Sequence, residues 1–463
     1  MTTGLDLHLD LRLAPARPAR SLESALRAAL DDGRLSPGTR LPPARTLAAD
    51  LGISRNTVAG VYGQLAAEGW LEARVGAGTW VAERTSPSRA PGTPAPRSSR
   101  PSIDLRGGIP DASGFPLRAW VSAVRAAAGE ATRADLAYPD PAGVPHLRAA
   151  LAGYLARTRG TTAGPEQVVV GHGFADLLGI ACRALRDRGV RRVAVESYGH
   201  AHHRRVIAAA GLDVVPVAVD ADGAVVDALE TADVGAVLLT PAHQFPVGVP
   251  MAAERRRRLV AWARRTGAVV LEDDYDGEFR YDRRAVGALQ ALAPDSVLYL
   301  GSASKALSPA VGLGWAVVPP AFLPDVVEQR TLAGGPSGLH QLAFARFVEA
   351  HEYDRSVRRL RGEYRSRRRR VEQVVADRLP GCEVWGVAAG LQCLVVLPPG
   401  TSEERVEAEA TRHGLRVLGL GRYLAAGGEA LPRPGIVVGY GAPSSHQLEP
   451  ALELLVRCAS SAL

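Results

Sequence analysis

A single lysine stands out among the basic residues of this sequence. The 463 residues include 55 lysines and arginines, and Lys305 is the one lysine among them. Arginine can replace lysine as a surface charge, but its guanidinium group stays protonated and cannot become a nucleophile. Lys305 is therefore a candidate reactive amine, although retention of one lysine by chance is the alternative explanation.

The residues around Lys305 are typical of a site that binds an aldehyde. Lys305 lies in GSASKALSPAVGLGW, directly after the strand-like run SVLYL, and the acidic segment LEDDYDGEF follows an earlier strand-like run. An amine at the carboxyl end of a strand can form a Schiff base, and pyridoxal phosphate is commonly bound in this way, with an acid at its ring nitrogen. The acidic segment could instead be a solvated loop or a metal site.

The elements that would position this lysine alternate between strands and helices. Helical patterns such as FADLLGIACRALRD and AAERRRRLVAWARR separate the strand-like runs. These runs occupy residues 167–171, 191–196, 213–219, 236–240, 267–273, 296–300 and 314–319. Such alternation predicts an α/β fold with a mainly parallel sheet covered by helices, in which ligands bind at the carboxyl ends of strands.

Composition divides the chain into four segments. Residues 85–102 are rich in proline, serine and arginine, which predicts an extended linker. Residues 1–84 then form a small N-terminal domain. The remainder is expected to be a large α/β domain at residues 103–345 and a smaller α/β C-terminal subdomain at residues 346–463.

Composition also excludes several classes of protein. The apolar share of 46% and the charged share of 22% are those of a folded globular chain, and no apolar run approaches the ~20 residues that span a bilayer. The N-terminus has no signal-peptide core, and the four cysteines lack metal-ligand spacing. We therefore expect a cytoplasmic protein with no membrane partner, metal site or disulfide framework. The net charge of +7 favours acidic partners.

The N-terminal domain is predicted to contain three helices and a hairpin. Helices are expected at about residues 22–31 and 44–51, and Ser54 is a suitable N-cap for a third helix that reaches about Ala67. The segment RVGAGTW predicts the hairpin, whose glycines would allow close approach to a phosphate backbone. A small helical protein-interaction domain is the alternative interpretation.

The third helix has two distinct faces. Arg55, Asn56 and Ala59 are expected to face outward, as the start of a recognition helix does in a helix-turn-helix protein. The core-facing stripe at helical spacing consists of Val58, Val61, Tyr62 and Leu65.

The order of these motifs resembles the GntR-type winged helix-turn-helix. The similarity runs through GRLSPGTRLPPARTLAADLGISRNTVAGVYGQLAAEGWLEARVGAGTWV, and Ala59 stands where some members carry another arginine. The resemblance implies binding to double-stranded DNA. The implied contact residues are Arg45, Ser54, Arg55, Asn56 and Thr57, with Gly76 and Gly78 in the wing.

Residues 103–463 resemble the fold-type I aminotransferases, and the whole chain resembles the MocR subfamily of GntR regulators. Further matching segments are LRGGIPDASGFPLRAW, YPDPAGVPHLRAALAGYLARTRG and LTPAHQFPVG. The resemblance implies pyridoxal 5'-phosphate as cofactor, an internal aldimine at Lys305, Asp273 at the pyridine nitrogen and Tyr275 at the ring hydroxyl. Tyr138 is implied at the phosphate, from the same chain or from a second subunit. The other implied cofactor contacts are Gly173, Phe174, Ser302, Ser304 and His200.

Several positions depart from the aminotransferase pattern. His200 stands where the ring-stacking tyrosine is usual, Gly312 replaces a phosphate-clamping arginine, and Ala175 replaces a glutamine near the phosphate. Val437 stands where an arginine binds the substrate α-carboxylate, although Arg433 is close in sequence. Loss of one charge-assisted contact to the phosphate costs on the order of 1.5–3 kcal/mol, and transamination needs the carboxylate clamp for positioning.

These features lead to one principal hypothesis and two alternatives. We expect a homodimeric, DNA-binding transcriptional regulator whose aminotransferase-like domain senses an amine, an amino acid or a vitamin B6 compound and is not an enzyme. The first alternative is an active aminotransferase with an accessory DNA-binding domain. The second is a regulator that has lost pyridoxal phosphate.

Overall fold

The structure is a computed structural model that describes residues 18–74, 78–83, 103–281 and 286–462. The chain divides into two compact units, with the division between Ser98 and Ser99. The predicted linker at residues 85–102 lies outside the described residues.

The first unit contains three helices and a three-stranded antiparallel sheet. The helices are α1 (Pro18–Asp31), α2 (Ala44–Leu51) and α3 (Arg55–Ala67). The strands are β1 (Arg40–Leu41), β2 (Leu71–Arg74) and β3 (Gly78–Val81), in the order β1-β3-β2. The four residues of the predicted stripe on α3 are all buried, and they pack with leucines of α1 and α2. The predicted helices and hairpin are therefore present.

The second unit is built around a seven-stranded sheet. The first strands of this unit, not all of which belong to that sheet, are β4 (Ile103–Asp104), β5 (Val168–Gly171), β6 (Arg192–Glu196), β7 (Asp213–Val217), β8 (Val219–Asp220), β9 (Gly223–Ala224), β10 (Ala236–Leu239), β11 (Val269–Asp273), β12 (Val297–Ser302) and β13 (Gly314–Val317). The order in the large sheet is β5-β13-β12-β11-β10-β6-β7. Every neighbouring pair is parallel except those of β13, which is antiparallel to both β12 and β5.

Helices cover both faces of this sheet. The helices of this region are α4 (Leu117–Glu130), α5 (Pro145–Arg159), α6 (Phe174–Asp187), α7 (Ala201–Ala209), α8 (Ala253–Thr266) and α9 (Leu323–Ala333). Leu271 of β11 packs in one cluster with Leu177 of α6 and Val326 of α9. Its neighbour Val270 points to the opposite face and packs with Leu259 of α8. Because successive side chains of a strand alternate between faces, both faces are apolar, as in the predicted helix-covered parallel sheet.

The described residues of the C-terminal region add four helices and a smaller sheet. The long arginine-rich run forms a single helix. The elements are α10 (Gly338–Glu349), α11 (Glu352–Arg378), β14 (Glu383–Trp385), β15 (Gln392–Val396), α12 (Glu403–Arg412), β16 (Leu415–Arg416), β17 (Leu418–Gly419), β18 (Gly435–Gly439) and α13 (Leu448–Ser460). The order of the small sheet is β14-β15-β18-β17, and β16 pairs in parallel with β4. Ile103 and Asp104 are therefore hydrogen-bonded to the C-terminal region and not to the large sheet.

Among the described residues, no helix combines the length and apolarity required to cross a membrane.

Candidate functional site

A cavity of about 280 Å³ lies at the carboxyl ends of β11 and β12 and at the first turn of α6. It collects every cofactor residue implied by the resemblance except Tyr138. The predicted residues that line it are Gly173, Phe174, His200, Asp273, Tyr275, Ser302, Ser304 and Lys305. These eight residues, which are spread over positions 173 to 305, thus meet at the edge of a parallel sheet where ligands of open α/β folds bind.

Lys305 presents a partly buried amine to this cavity. Its Nζ donates a hydrogen bond to the carbonyl oxygen of Gly108 at 2.5 Å. Burial lowers the pKa of Lys305, while the charges of Asp273 and Asp276 act in the opposite direction. A lowered pKa increases the share of neutral amine, which is the nucleophilic form of lysine.

Asp273 ends β11 and presents an unpaired acceptor. Its side chain is 4% exposed, and its Oδ1 atom has no hydrogen-bond partner in the part of the chain that the structure describes. The Oδ2 atom lies 3.8 Å from Nδ1 of His203. Burial raises the pKa of Asp273 well above its ordinary value, and the charges of Asp274 and Asp276 raise it further. The Oδ1 atom therefore lacks, among the described residues, the donor that a buried carboxyl oxygen normally has.

Tyr275 is held by a network of polar side chains. Its hydroxyl accepts a hydrogen bond from Nε2 of Gln392 at 2.8 Å and lies 3.0 Å from Nδ1 of His243. The same His243 nitrogen is 2.7 Å from Oδ2 of Asp276. Gln392 also accepts, through Oε1, a hydrogen bond from the backbone N–H of Gly108. The network fixes the Tyr275 hydroxyl and the backbone that receives the Lys305 amine.

His200 is stacked on another aromatic ring. Its ring centroid lies 3.9 Å from that of Phe245, with an angle of 17° between the planes. Burial, followed by the charge of Lys305, lowers the pKa of His200 to about 3. The imidazole is therefore neutral at physiological pH, and Phe245 covers one of its two faces.

The other end of the cavity offers backbone N–H groups and hydroxyls. Gly173 is the N-cap of α6 and has a φ of 125°, and a Cβ atom at Gly314 would lie 2.8 Å from its Cα. Ser302 Oγ donates to Ser304 Oγ at 2.8 Å. The start of a helix favours anions because its first N–H groups lack partners. Of the described residues that line this cavity, none is an arginine.

Asp176 partly opposes binding of an anion at this end. Its Oδ2 atom accepts hydrogen bonds from the backbone N–H of His172 at 2.8 Å and from NH1 of Arg330 at 2.5 Å. The Arg330 side chain is only 1% exposed, so it neutralises the carboxylate without lining the cavity. Gly312, at the position of the usual arginine, has a φ of 60°, which favours glycine.

Three residues that sequence comparison connects with the site lie elsewhere. Tyr138 is fully exposed and does not line the cavity of its own chain. Val437 is fully buried in β18, and its Cγ1 would lie 2.8 Å from a Cβ atom at Gly107. Arg433, close to Val437 in sequence, donates to the carbonyl of Leu397 and forms an ion pair with a glutamate of β14. Its guanidinium is therefore engaged outside the cavity.

Sequence analysis missed several residues that complete the site. They are Gly108, Gln392 and His203. Each carried a signal: a glycine pair in LRGGIP, one amide in the apolar strand LQCLVV, and a histidine one helical turn from His200 in HAHH. Their contacts join segments far apart in the chain, which the sequence does not show.

The first unit exposes the residues predicted to contact DNA. Arg45, Arg55 and Asn56 are exposed, and Thr57 is partly buried. Ser54 is the N-cap of α3, and its Oγ accepts a hydrogen bond from the backbone N–H of Thr57 at 3.1 Å. The capping role predicted for Ser54 is therefore confirmed.

The predicted wing is an antiparallel hairpin of β2 and β3. Gly78 starts β3 with a φ of 121° and pairs with Arg74. The guanidinium carbons of Arg40 and Arg74 lie 5.3 Å and 5.1 Å from the ring centroid of Trp80. Gly76 lies outside the described residues.

Among the described residues, no cluster of histidine, cysteine and acidic side chains could hold a metal ion.

Two family models match the chain. The model of bacterial regulatory proteins of the gntR family matches residues 18–81, and that of class I and II aminotransferases matches residues 102–428. Solved structures agree with the second match. A kynurenine aminotransferase from Pyrococcus horikoshii superimposes with a TM-score of 0.71 over 79% of this chain and 92% of that one, at 21% identity. The α-aminoadipate aminotransferase LysN from Thermus thermophilus gives a TM-score of 0.68 over 78% and 93%, at 21% identity. At these identities the likeness shows the fold.

Full-length relatives combine both regions. The pyridoxine biosynthesis regulator PdxR of Corynebacterium glutamicum is 32% identical over 95% of this chain and 96% of its own length. The regulator YhdI of Bacillus subtilis is 31% identical over 92% of both chains. The probable rhizopine catabolism regulator MocR of Rhizobium meliloti is 34% identical over 76% of this chain and 75% of its own. The chain therefore belongs to the MocR subfamily of GntR-type transcriptional regulators, in which a helix-turn-helix domain is joined to a class I and II aminotransferase domain.

Proposed function

We propose that this regulator binds pyridoxal 5'-phosphate in the cavity lined by Lys305 and Asp273, called the first cavity below. It would sense there an amine, an amino acid or a vitamin B6 compound. The observation that carries the proposal is the meeting of two groups in one cavity: the chain's only lysine and the unpaired Oδ1 of Asp273. Double-stranded DNA, bound by the first unit, is the second partner.

The residues of the cavity fit this cofactor. Asp273 is a buried acid whose Oδ1 atom lacks a partner among the described residues, and a protonated pyridine nitrogen would supply one. The N–H groups at Gly173 and Phe174 and the hydroxyl of Ser302 would hold the phosphate. When bound, the cofactor supplies an aldehyde that reacts reversibly with primary amines. The cavity therefore offers groups for the aldehyde, the ring and the phosphate of the cofactor, but no arginine lines it among the described residues.

The side chains around the ring would orient the cofactor. Lys305 would hold its aldehyde carbon, and Tyr275 would donate to the ring hydroxyl from a position fixed by Gln392. His200 would stack on the ring with the face that Phe245 leaves uncovered. A neutral imidazole is suited to stacking because it adds no charge beside the Lys305 amine.

Sensing is favoured over transamination by the residue at the position of the usual carboxylate-binding arginine, which is Val437. Val437 is an apolar residue buried in a cluster with Phe245 and Tyr423. No arginine among the described lining residues could clamp an α-carboxylate, so an amino acid would be positioned poorly for turnover. Multiple-turnover formation of a keto acid would instead support the alternative of an active aminotransferase.

The name of one relative supports the proposed class of ligand. The printed name of the Corynebacterium glutamicum relative describes control of pyridoxine biosynthesis, which is consistent with a vitamin B6 ligand. We further propose a cytoplasmic homodimer in which the exposed Tyr138 reaches the phosphate of the partner subunit. A ligand would then act by binding two arrangements of the dimer with different affinities.

The cofactor proposal is tested by absorption spectroscopy and chemical trapping. Incubation with pyridoxal phosphate should give a visible-region band, and borohydride reduction should place a pyridoxyl group on the peptide that contains Lys305. Lys305→Ala and Lys305→Arg should both lose the band, because arginine keeps the charge but cannot attack the aldehyde. A wild-type protein that stays colourless would support the alternative without cofactor.

The DNA proposal is tested by titrating a labelled upstream fragment at several salt concentrations. Arg55→Gln should weaken binding and reduce the slope of log K against log salt by about 1, as expected for one lost phosphate contact. Arg20→Gln, at an exposed position of α1, is the matched control. Equal effects of the two substitutions would count against α3 as the DNA-contacting helix.

A further inference from the structure

A second cavity of about 410 Å³ lies among α5, the segment that follows β11, and α11. Its walls include Tyr154, Thr158, Arg159, Glu278, Arg358 and Arg361, and it shares no lining residue with the first cavity. Its volume is in the range of small-molecule sites, roughly 300–1,000 Å³.

The acidic side chains that the structure describes near this cavity already have partners or are partly protonated. Asp274 forms hydrogen bonds of 2.6 Å and 2.8 Å with Arg159, so the two charges cancel. Asp354 is paired with Arg157 at 3.2 Å. Burial raises the pKa of Glu278 to about 7, so this carboxyl carries only part of its charge at neutral pH.

Two guanidinium groups on α11 have nitrogen atoms without a hydrogen-bond partner among the described residues, and the Arg358 side chain is exposed. Arg358 makes no hydrogen bond or ion pair with any residue that the structure describes. Arg361 donates through Nε to the carbonyl oxygen of Glu278 at 2.8 Å, which fixes the group and leaves its terminal nitrogens for another acceptor. Residues three apart in a helix lie on the same side, and like charges there repel each other. An anion between them would remove this repulsion.

We propose that this second cavity is a binding site for a small dianion, either a phosphate monoester or a dicarboxylate. Guanidinium groups match the geometry of both anions through paired hydrogen bonds. The cavity is larger than a bare anion requires, so it has room for an organic body. The site does not depend on the proposed cofactor function, because none of its residues lines the first cavity.

The test is isothermal titration of the full-length protein, preloaded with pyridoxal phosphate, with inorganic phosphate and separately with succinate. Saturable binding of one probe per chain is expected. Arg358→Gln should weaken it at least about tenfold, the usual effect of removing a charged hydrogen-bond partner. Arg369→Gln, an exposed arginine of the same helix, should leave it unchanged. Because Arg358 is exposed and makes no hydrogen bond or ion pair with a described residue, its variant should unfold at the wild-type temperature.

The outcomes separate the possible sources of a signal. Binding of phosphate alone supports a phosphate monoester, and binding of succinate alone supports a dicarboxylate. Weakening by Ser302→Ala instead of Arg358→Gln would assign the anion to the first cavity and overturn the proposal. So would an equal loss in Arg369→Gln, or the absence of saturable binding for both probes.

Discussion

At the scale of single residues, three consecutive acidic residues at the end of β11 have different roles. Glu272 accepts hydrogen bonds from the backbone N–H groups of Leu289 and Gln290, and Asp274 accepts from Arg159 and the hydroxyl of Tyr299. Only the residue between them, Asp273, lines the first cavity. Alternation along the strand therefore separates one available carboxyl from two structural ones.

A prediction at this scale concerns the buried carboxyl of Glu196. Its Oε2 accepts hydrogen bonds from the Thr240 hydroxyl at 2.5 Å and backbone N–H at 3.1 Å, and burial raises its pKa to about 7. Because the folded pKa exceeds the unfolded value, its contribution to stability is complete below about pH 4.5 and is lost as pH rises through 7. Each pKa unit between the folded and the unfolded value corresponds to about 1.4 kcal/mol in the free energy of unfolding.

Glu196→Gln removes this titration while keeping an acceptor oxygen. The free energy of unfolding of the variant should rise relative to wild type by up to about 3 kcal/mol between pH 5 and pH 7.5. Urea unfolding at several pH values measures it, with the exposed Glu328→Gln as control. A difference that does not change with pH would show that Glu196 ionises normally.

At the scale of elements, helix starts position both candidate sites. α6 begins at the end of the first cavity where we propose that the phosphate binds, and α3 begins at the residues predicted to contact DNA. The first N–H groups of a helix favour anions because they lack intrahelical partners. The two helices differ in their caps: Gly173 leaves N–H groups open for a ligand, whereas the Ser54 side chain already binds one.

The cap of α3 allows stability to be separated from DNA binding. Ser54→Ala should destabilise the start of α3 by about 1 kcal/mol, because the hydrogen bond to Thr57 is lost. Ser54→Asp should restore the cap, since aspartate is an equally good N-cap, but should weaken DNA binding by repelling phosphates. Hydrogen–deuterium exchange of α3 and DNA titration measure the two effects. Parallel changes in both assays for Ser54→Asp would contradict this separation.

At the scale of the whole molecule, the second unit carries an exposed apolar patch. Leu136 is 65% exposed, and Tyr138 follows it in the loop after α4. A Cβ atom at Gly338, the first residue of α10, would lie within 4 Å of the Asp135 carbonyl oxygen and Pro139, which brings the exposed Leu339 near this loop. Patches of this kind mark protein interfaces, which is consistent with the proposed homodimer.

The proposed dimer predicts different outcomes for two exposed leucines. Leu136→Glu should convert the protein to a monomer, because a charge would be buried in a self-complementary interface. Leu292→Glu, at a leucine 48% exposed outside this patch, should leave the dimer intact. Sedimentation analysis measures both variants. A Leu136→Glu protein that remains dimeric would place the interface elsewhere.

The sequence by itself determined the two folds, the Ser54 cap and the choice of Lys305 as the candidate reactive amine. Periodicity, N-cap chemistry and the absence of other lysines are local signals, and the alternation of strands with helices predicts a parallel sheet. The tertiary structure decided which distant groups meet: Gly108 and Gln392 at the lysine, Phe245 against His200, and α5 against α11 around the second cavity. These contacts follow from long-range packing, which brings together residues whose separation in sequence carries no signal of contact.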